Sequence, residues 1–113
     1  DKLERVFDNL LRNALGYSYP KTQILISLEQ RQNHVTIRVQ NHGKTIPPEK
    51  LSRIFEQFFR LDSARASSTG GAGLGLAIAK EIVELHGGII TAESADENIV
   101  FTGRLPYSRQ KIV

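Results

Sequence analysis

Leu3, Val6, Phe7, Leu10, Leu11, Ala14 and Leu15 recur at the i, i+3, i+4, i+7 spacing, which predicts a helix over 3–17 with one buried stripe. Tyr19–Pro20 stops it, because proline has no N–H to continue the ladder. The period then changes to two. Ile24, Ile26 and Leu28 alternate with polar neighbours, as do Val35, Ile37 and Val39 across the turn-like Arg31–Asn33. This predicts a β-hairpin. NHGKTIPP at 41–48 reads as a loop, and Pro48 opens a short helix running from Glu49 to about Phe58. RLDSARASSTGGAG over 60–73 has no period and is polar and glycine-rich, the pattern of a mobile loop. A further helix spans Leu74–His86, with Gly87 at the left-handed cap position. GIITAES and IVFTGRLP form a second hairpin across ADEN.

The predicted order is helix, two strands, helix, helix, two strands. Strands in antiparallel pairs argue for an α+β fold with helices on one face of the sheet. The chain has 113 residues, enough for one small domain with a modest core, and shows neither repeat nor linker.

Composition narrows the function. There is no cysteine, so disulfide frameworks and thiolate metal sites are excluded. No apolar run approaches the ~18 residues of a membrane span, and no signal peptide is expected in the sequence. Methionine is absent even at position 1, so the chain is expected to be processed or excerpted from a longer protein. The net charge is +3 and the pI about 9.5. No Lys/Arg run of five or more and no aromatic ladder between basic residues accompanies that charge. A solvated basic face is therefore expected rather than nucleic-acid binding.

The glycines before the last helix carry the chemistry. Gly71, Gly73 and Gly75 lead directly into an apolar helical run, although glycine weakens a helix. A helix N-terminus presents unpaired N–H groups and partial positive charge, and glycine lets a backbone approach a ligand closely. That combination makes an anion site, most often for phosphate; a flexible lid or tight turn is the alternative. Leu76–Ala77 follow the last glycine, which excludes a P-loop. The G-x-G-x-G spacing after a polar loop excludes the dinucleotide fingerprint. A second clue lies in the first helix. Asn9 and Asn13 are four apart and share a face at the edge of the apolar stripe, where amides need partners. An asparagine oxygen can ligate Mg²⁺, which is often held by one or two protein oxygens plus phosphates. Boundary asparagines bonded to backbone are the plainer reading of that pair alone.

DNLLRNALGYS, NHGKTI, IFEQFFR and GAGLGLAIAKEIVELHGG, in this order and over nearly the whole chain, resemble the four boxes of the histidine-kinase catalytic and ATP-binding domain, in the flavour of vancomycin-resistance sensor kinases. The resemblance implies the Bergerat fold, a two-layer α/β sandwich with a mixed, mostly antiparallel sheet. It implies ATP and Mg²⁺ as cofactors, a lid, and a dimerisation and phosphoacceptor domain elsewhere in a homodimeric parent. It also implies a cognate response regulator, no nucleic-acid partner, and a cytoplasmic position in a parent anchored in the bacterial membrane.

Residue by residue, Asn13 matches the magnesium ligand and Asn9 its polar partner one turn earlier. Tyr17 matches an aromatic beside adenine, and Gly43 the glycine of the adenine-side box. Arg60 and Arg65 match lid-side arginines that approach phosphate, and Gly71, Gly73, Leu74 and Gly75 match the second glycine box. Phe55, Phe58 and Phe59 fit the aromatic box as packing residues. Three positions depart from the pattern: Asn41 replaces the aspartate that accepts the adenine amino group, Thr45 replaces a second glycine, and Gly16 replaces a lysine. Histidines 34, 42 and 86 fall outside the family's phosphoacceptor motif. The resemblance thus implies the half of a protein-histidine kinase that binds ATP and aims its γ-phosphate. Two alternatives belong to other classes. One is an ATP-hydrolysing machine related to gyrase and heat-shock ATPases, which carry a glutamate where Asn9 stands; the other is a non-catalytic ATP-sensing module.

Overall fold

The computed structural model describes residues 2–60 and 74–106. Arg65, Gly71, Gly73 and the glycine-rich run at 61–73 lie outside the described residues.

Helix α1 spans Lys2–Tyr17 and buries Val6, Leu10 and Ala14. Phe7 packs against the same core, but Leu3 and Leu15 are exposed. The buried line is therefore narrower than the apolar stripe the sequence offers. At the helix end the Ser18 hydroxyl donates to the Ala14 carbonyl at 2.5 Å, taking up an acceptor the last turn leaves open.

Strands β1 (Ile24–Gln30), β2 (His34–His42), β3 (Ile89–Ala95) and β4 (Asn98–Pro106) form one sheet in the order β1-β2-β4-β3. The described strands pair antiparallel throughout. Strand β2 runs two residues into the predicted loop, so Asn41 pairs with Ile24 on one side and Ile99 on the other. The central strands carry the inward core residues Ile37, Val39, Ile99, Phe101 and Leu105. Helix α1 packs on β2 and on α3, and α3 packs on β3 and β4, which gives the two layers. Edge strand β1 is exposed along almost its whole length.

Helix α2 covers only Pro48–Leu51, shorter than the helix predicted to Phe58. Beyond it the backbone bonds contract to three-residue spacing, as in Arg53 to Lys50, Glu56 to Arg53 and Phe59 to Glu56. Phe58 then takes a left-handed φ of 66°, which no continuing right-handed helix allows. Packing holds this irregular stretch. Ile54 is buried, the Phe55 ring meets Phe101 edge-on at 6.0 Å, and the Arg53 guanidinium lies 4.8 Å from the Phe59 ring centre.

Helix α3 runs Gly75–Leu85. It ends as predicted at Gly87, with φ +80°, the Gly87 amide on the Glu84 carbonyl and the Gly88 amide on the Val83 carbonyl. That pair of bonds is a Schellman cap. Chain reversal between β3 and β4 needs only Asp96 and Glu97, at φ 51° and 62°, the two left-handed residues of a type I′ turn.

Candidate functional site

Helix α1 carries Asn9, Asn13 and Tyr17 in a line, each half-buried. The line is about 12 Å long at 1.5 Å per residue. A different glycine meets each end. At the Asn9 end lies Gly75, the first residue of α3: a Cβ added there would stand 3.6 Å from the Asn9 Oδ1. At the other end lies Gly43, where a Cβ would run into the Tyr17 carbonyl oxygen. Only glycine allows that approach.

The Asn9 end has two features of an anion cradle. Among the described residues no side chain caps the N-terminus of α3, whose Ncap residue is Leu74, so within them the positive end of the helix has no built-in acceptor. Beside it, the buried Asn9 Nδ2 has no hydrogen-bond partner among the described residues. Such a donor is costly unless something else accepts from it. Arg60, at the edge of the described residues, is exposed.

The Gly43 end is built on the sheet. Asn41 is fully buried, the one polar residue in the core among those described, and neither its Nδ2 nor its Oδ1 has a partner among them. Its side chain makes no turn-closing bond to any described residue. It shares the inner face of a cross-strand row with Ile24, Ile99 and Ser94, and the Ser94 hydroxyl accepts the Ile46 amide at 2.9 Å. The residues after β2 are tied to the β3–β4 turn. Gly43 donates its amide to the Glu97 carbonyl at 3.0 Å, and the Glu97 amide donates to Thr45 Oγ1 at 2.7 Å. Tyr19 donates its amide to the His42 carbonyl at 2.8 Å and its hydroxyl to Glu97 Oε2 at 2.7 Å. That carboxylate raises the Tyr19 phenol above its ordinary value of 10.0, through the hydrogen bond first, with smaller contributions from burial and charge.

The structure thus brings Asn9, Asn13, Tyr17, Asn41, Gly43, Thr45 and Gly75 onto α1 and the two segments abutting it. Sequence reasoning missed Tyr19, Ser94 and Glu97. Their roles depend on cross-chain bonds; the one local signal was a two-residue turn written Asp-Glu where asparagine-glycine is usual. Among the described residues, no group of three or more His, Cys, Asp or Glu could hold a metal. A divalent cation here would rest on amide oxygen and ligand oxygens, a donor set that suits Mg²⁺.

Comparison with known proteins defines the class. The family of histidine kinase-, DNA gyrase B- and HSP90-like ATPases matches residues 1–109, and the chain belongs to this family. It is 55% identical over 106 residues to the sensor protein VanSC of Enterococcus gallinarum, covering 94% of this chain and 29% of that protein. To the sensor protein VanS of Enterococcus faecium it is 54% identical over 106 residues, covering 94% and 27%. The chain thus spans less than a third of these relatives' length. Among solved structures, the catalytic domain of histidine kinase ThkA superposes with a TM-score of 0.80 at 32% identity, over 97% of this chain and 69% of that one. The mycobacterial sensor histidine kinase MprB gives 0.79 at 32% identity, over 93% and 70%. The fold is that of histidine-kinase catalytic domains.

Proposed function

We propose that residues 1–113 form the ATP-binding catalytic domain of a two-component sensor histidine kinase. It transfers the γ-phosphoryl group of ATP to a histidine on a separate dimerisation domain of a homodimeric, membrane-anchored parent, which then signals to a response regulator. One observation carries the reading: the unpartnered buried amides of Asn9 and Asn41 stand at the two glycine-lined ends of one polar line on α1.

At the Gly43 end, the Asn41 amide oxygen accepts the adenine amino group, and Tyr17, Gly43 and Thr45 wall the base. At the Gly75 end, the α3 backbone and the Asn9 amide N–H receive phosphate oxygens. Arg60 and Arg65 balance the charge that develops on the transferred group. Asn13, between the two ends, offers its amide oxygen to Mg²⁺. When bound, that ion neutralises phosphate charge and orients the reacting oxygens. The chain's contribution to phosphoryl transfer is positioning and electrostatics. Asn9 is a neutral amide that cannot deprotonate water, which favours transfer over hydrolysis.

The test uses γ-labelled ATP with and without an added phosphoacceptor domain from a VanS-type relative. The chain should bind Mg-ATP, leave itself unlabelled and label the added domain. Acid-labile label on the chain alone, or no label on any added acceptor despite ATP binding, would sink the reading.

A further inference from the structure

Glu97 occupies a backbone conformation that argues against glutamate. It is the second residue of a type I′ turn, at φ 62°, where glycine or asparagine is strongly favoured and a longer side chain is strained. The turn itself gains nothing from a carboxylate. Three of its polar groups are nonetheless used, each by a segment far away in sequence: the carbonyl by Gly43, the amide by Thr45 and the carboxylate by Tyr19. With the Tyr19 amide on the His42 carbonyl, the bonds close a ring: Tyr19 to His42, Gly43 to Glu97, and Glu97 back to Tyr19. Thr45 adds a strut inside it. Gly43 is itself a member of the ring, pressed so close to the Tyr17 carbonyl that no Cβ fits, and the place a Cβ would take lies 3.4 Å from Asn41 Nδ2.

We infer that Glu97 is a positioning residue for the nucleotide base. Through Tyr19 and Thr45 it clamps residues 43–45 against Asn41, and so sets affinity for the adenine end without touching the ligand. This rests on the nucleotide reading of the site. The clamp also gives a reason for Thr45 at a position where the resembled sequence pattern has a second glycine. Glycine would leave the segment loose, whereas a hydroxyl gives the Glu97 amide its acceptor. The Tyr19–Glu97 pair is exposed, so its worth lies in fixing the loop's geometry rather than in raw stabilisation.

The test is calorimetric titration of Mg-ATP into the full chain and into E97G, E97Q, Y19F and the E97G/Y19F pair, with melting temperatures measured alongside. Glycine relieves the left-handed strain and keeps both backbone bonds, so E97G should melt at or above the wild-type temperature. Its ATP affinity should nevertheless fall by about two- to fivefold, the worth of one modest hydrogen bond. Y19F, which leaves the turn untouched, should lose the same amount, and the pair no more than either alone. E97Q keeps an oxygen that accepts from Tyr19 and should restore binding. Wild-type affinity in E97G and Y19F, or E97Q as weak as E97G, would overturn the clamp while leaving the nucleotide site standing. A wild-type chain that binds no ATP would overturn the nucleotide reading and the clamp with it.

Discussion

The two ends of the α1 polar line are built on opposite principles. At the Gly43 end, close approach is enforced by sheet register and a ring of cross-chain hydrogen bonds. At the Gly75 end it comes from a helix terminus that no side chain caps among the described residues. One end holds a shape and the other presents a field. A planar base needs matched walls, whereas a phosphate chain needs donors and charge. The contrast explains why glycine serves both ends for different reasons: Gly43 admits no Cβ, while Gly75 would tolerate one.

The largest expected effect tests whether the two ends are one site. Asn13 sits between them, and Asn13→Ala removes the amide oxygen without harming a helix. Transfer to a supplied phosphoacceptor domain should fall below detection while circular dichroism and melting stay near wild type. Retained transfer in a folded Asn13→Ala chain would separate the ends and take Asn13 out of the chemistry.

The glycines themselves give the next effect. Gly43→Ala drives a methyl into the Tyr17 carbonyl, and overpacking of this kind costs about 3 kcal/mol. Denaturant unfolding should show that loss, together with loss of ATP binding. Gly75→Ala meets only the Asn9 amide at ordinary contact distance. It should stay within about 1 kcal/mol of wild type, on the stabilising side, yet bind ATP more weakly because a methyl now stands in the cradle. Equal stability losses at the two positions would erase the difference between the ends.

Asn41→Asp refines the base end. A carboxylate accepts the adenine amino group more strongly than an amide, by about fivefold in affinity, and repels the guanine carbonyl. The carboxylate would take the place of an amide that is fully buried without a partner among the described residues, which costs more than the about 1–3 kcal/mol of a neutral group. Asn41→Asp should therefore melt below wild type alone, gain more from saturating ATP, and widen the ATP-over-GTP preference. An unchanged ratio of ATP to GTP affinity would remove Asn41 from the base pocket.

Much of this was legible before any coordinates. The 3.6-residue period of α1, the two alternating hairpins and the Gly87 cap are local signals, and local physics sets them. The resemblance of the four boxes, through their order along the chain, is what assigned Asn9, Asn13, Asn41, Gly43 and Gly75 to one proposed site. The end of α2 at Leu51 was not legible. Residues 52–58 have helical composition, but the contacts of Phe55 with Phe101 and Arg53 with Phe59 hold them in turns. Nor was the burial of Asn41 within a strand, since NHGKTIPP reads as loop until β4 pairs with it. Glu97 was invisible for a similar reason: its three bonds reach 52 to 78 residues back along the chain, or to Gly43.

The smallest effect isolates the tie that makes the Gly43 end rigid. Glu97 raises the Tyr19 phenol above 10.0, so the folded state favours the protonated hydroxyl. For a group raised on folding, the stabilisation is complete below the unfolded value and is lost as pH climbs through the folded one. Wild type should therefore be slightly more stable than Tyr19→Phe at neutral pH, and the margin should shrink as pH rises past 10.0. Beyond that the sign should reverse. A phenolate would face the Glu97 carboxylate with no proton between them, while phenylalanine carries no charge. Comparing the two chains removes the titration of every other tyrosine and lysine from the result. The measurement is the difference in melting temperature between wild type and Tyr19→Phe from neutral to strongly alkaline pH. A margin that stays constant across that range would mean the hydroxyl does not donate to Glu97 in solution, and the Gly43 end would then be held by backbone bonds and the Thr45 hydroxyl.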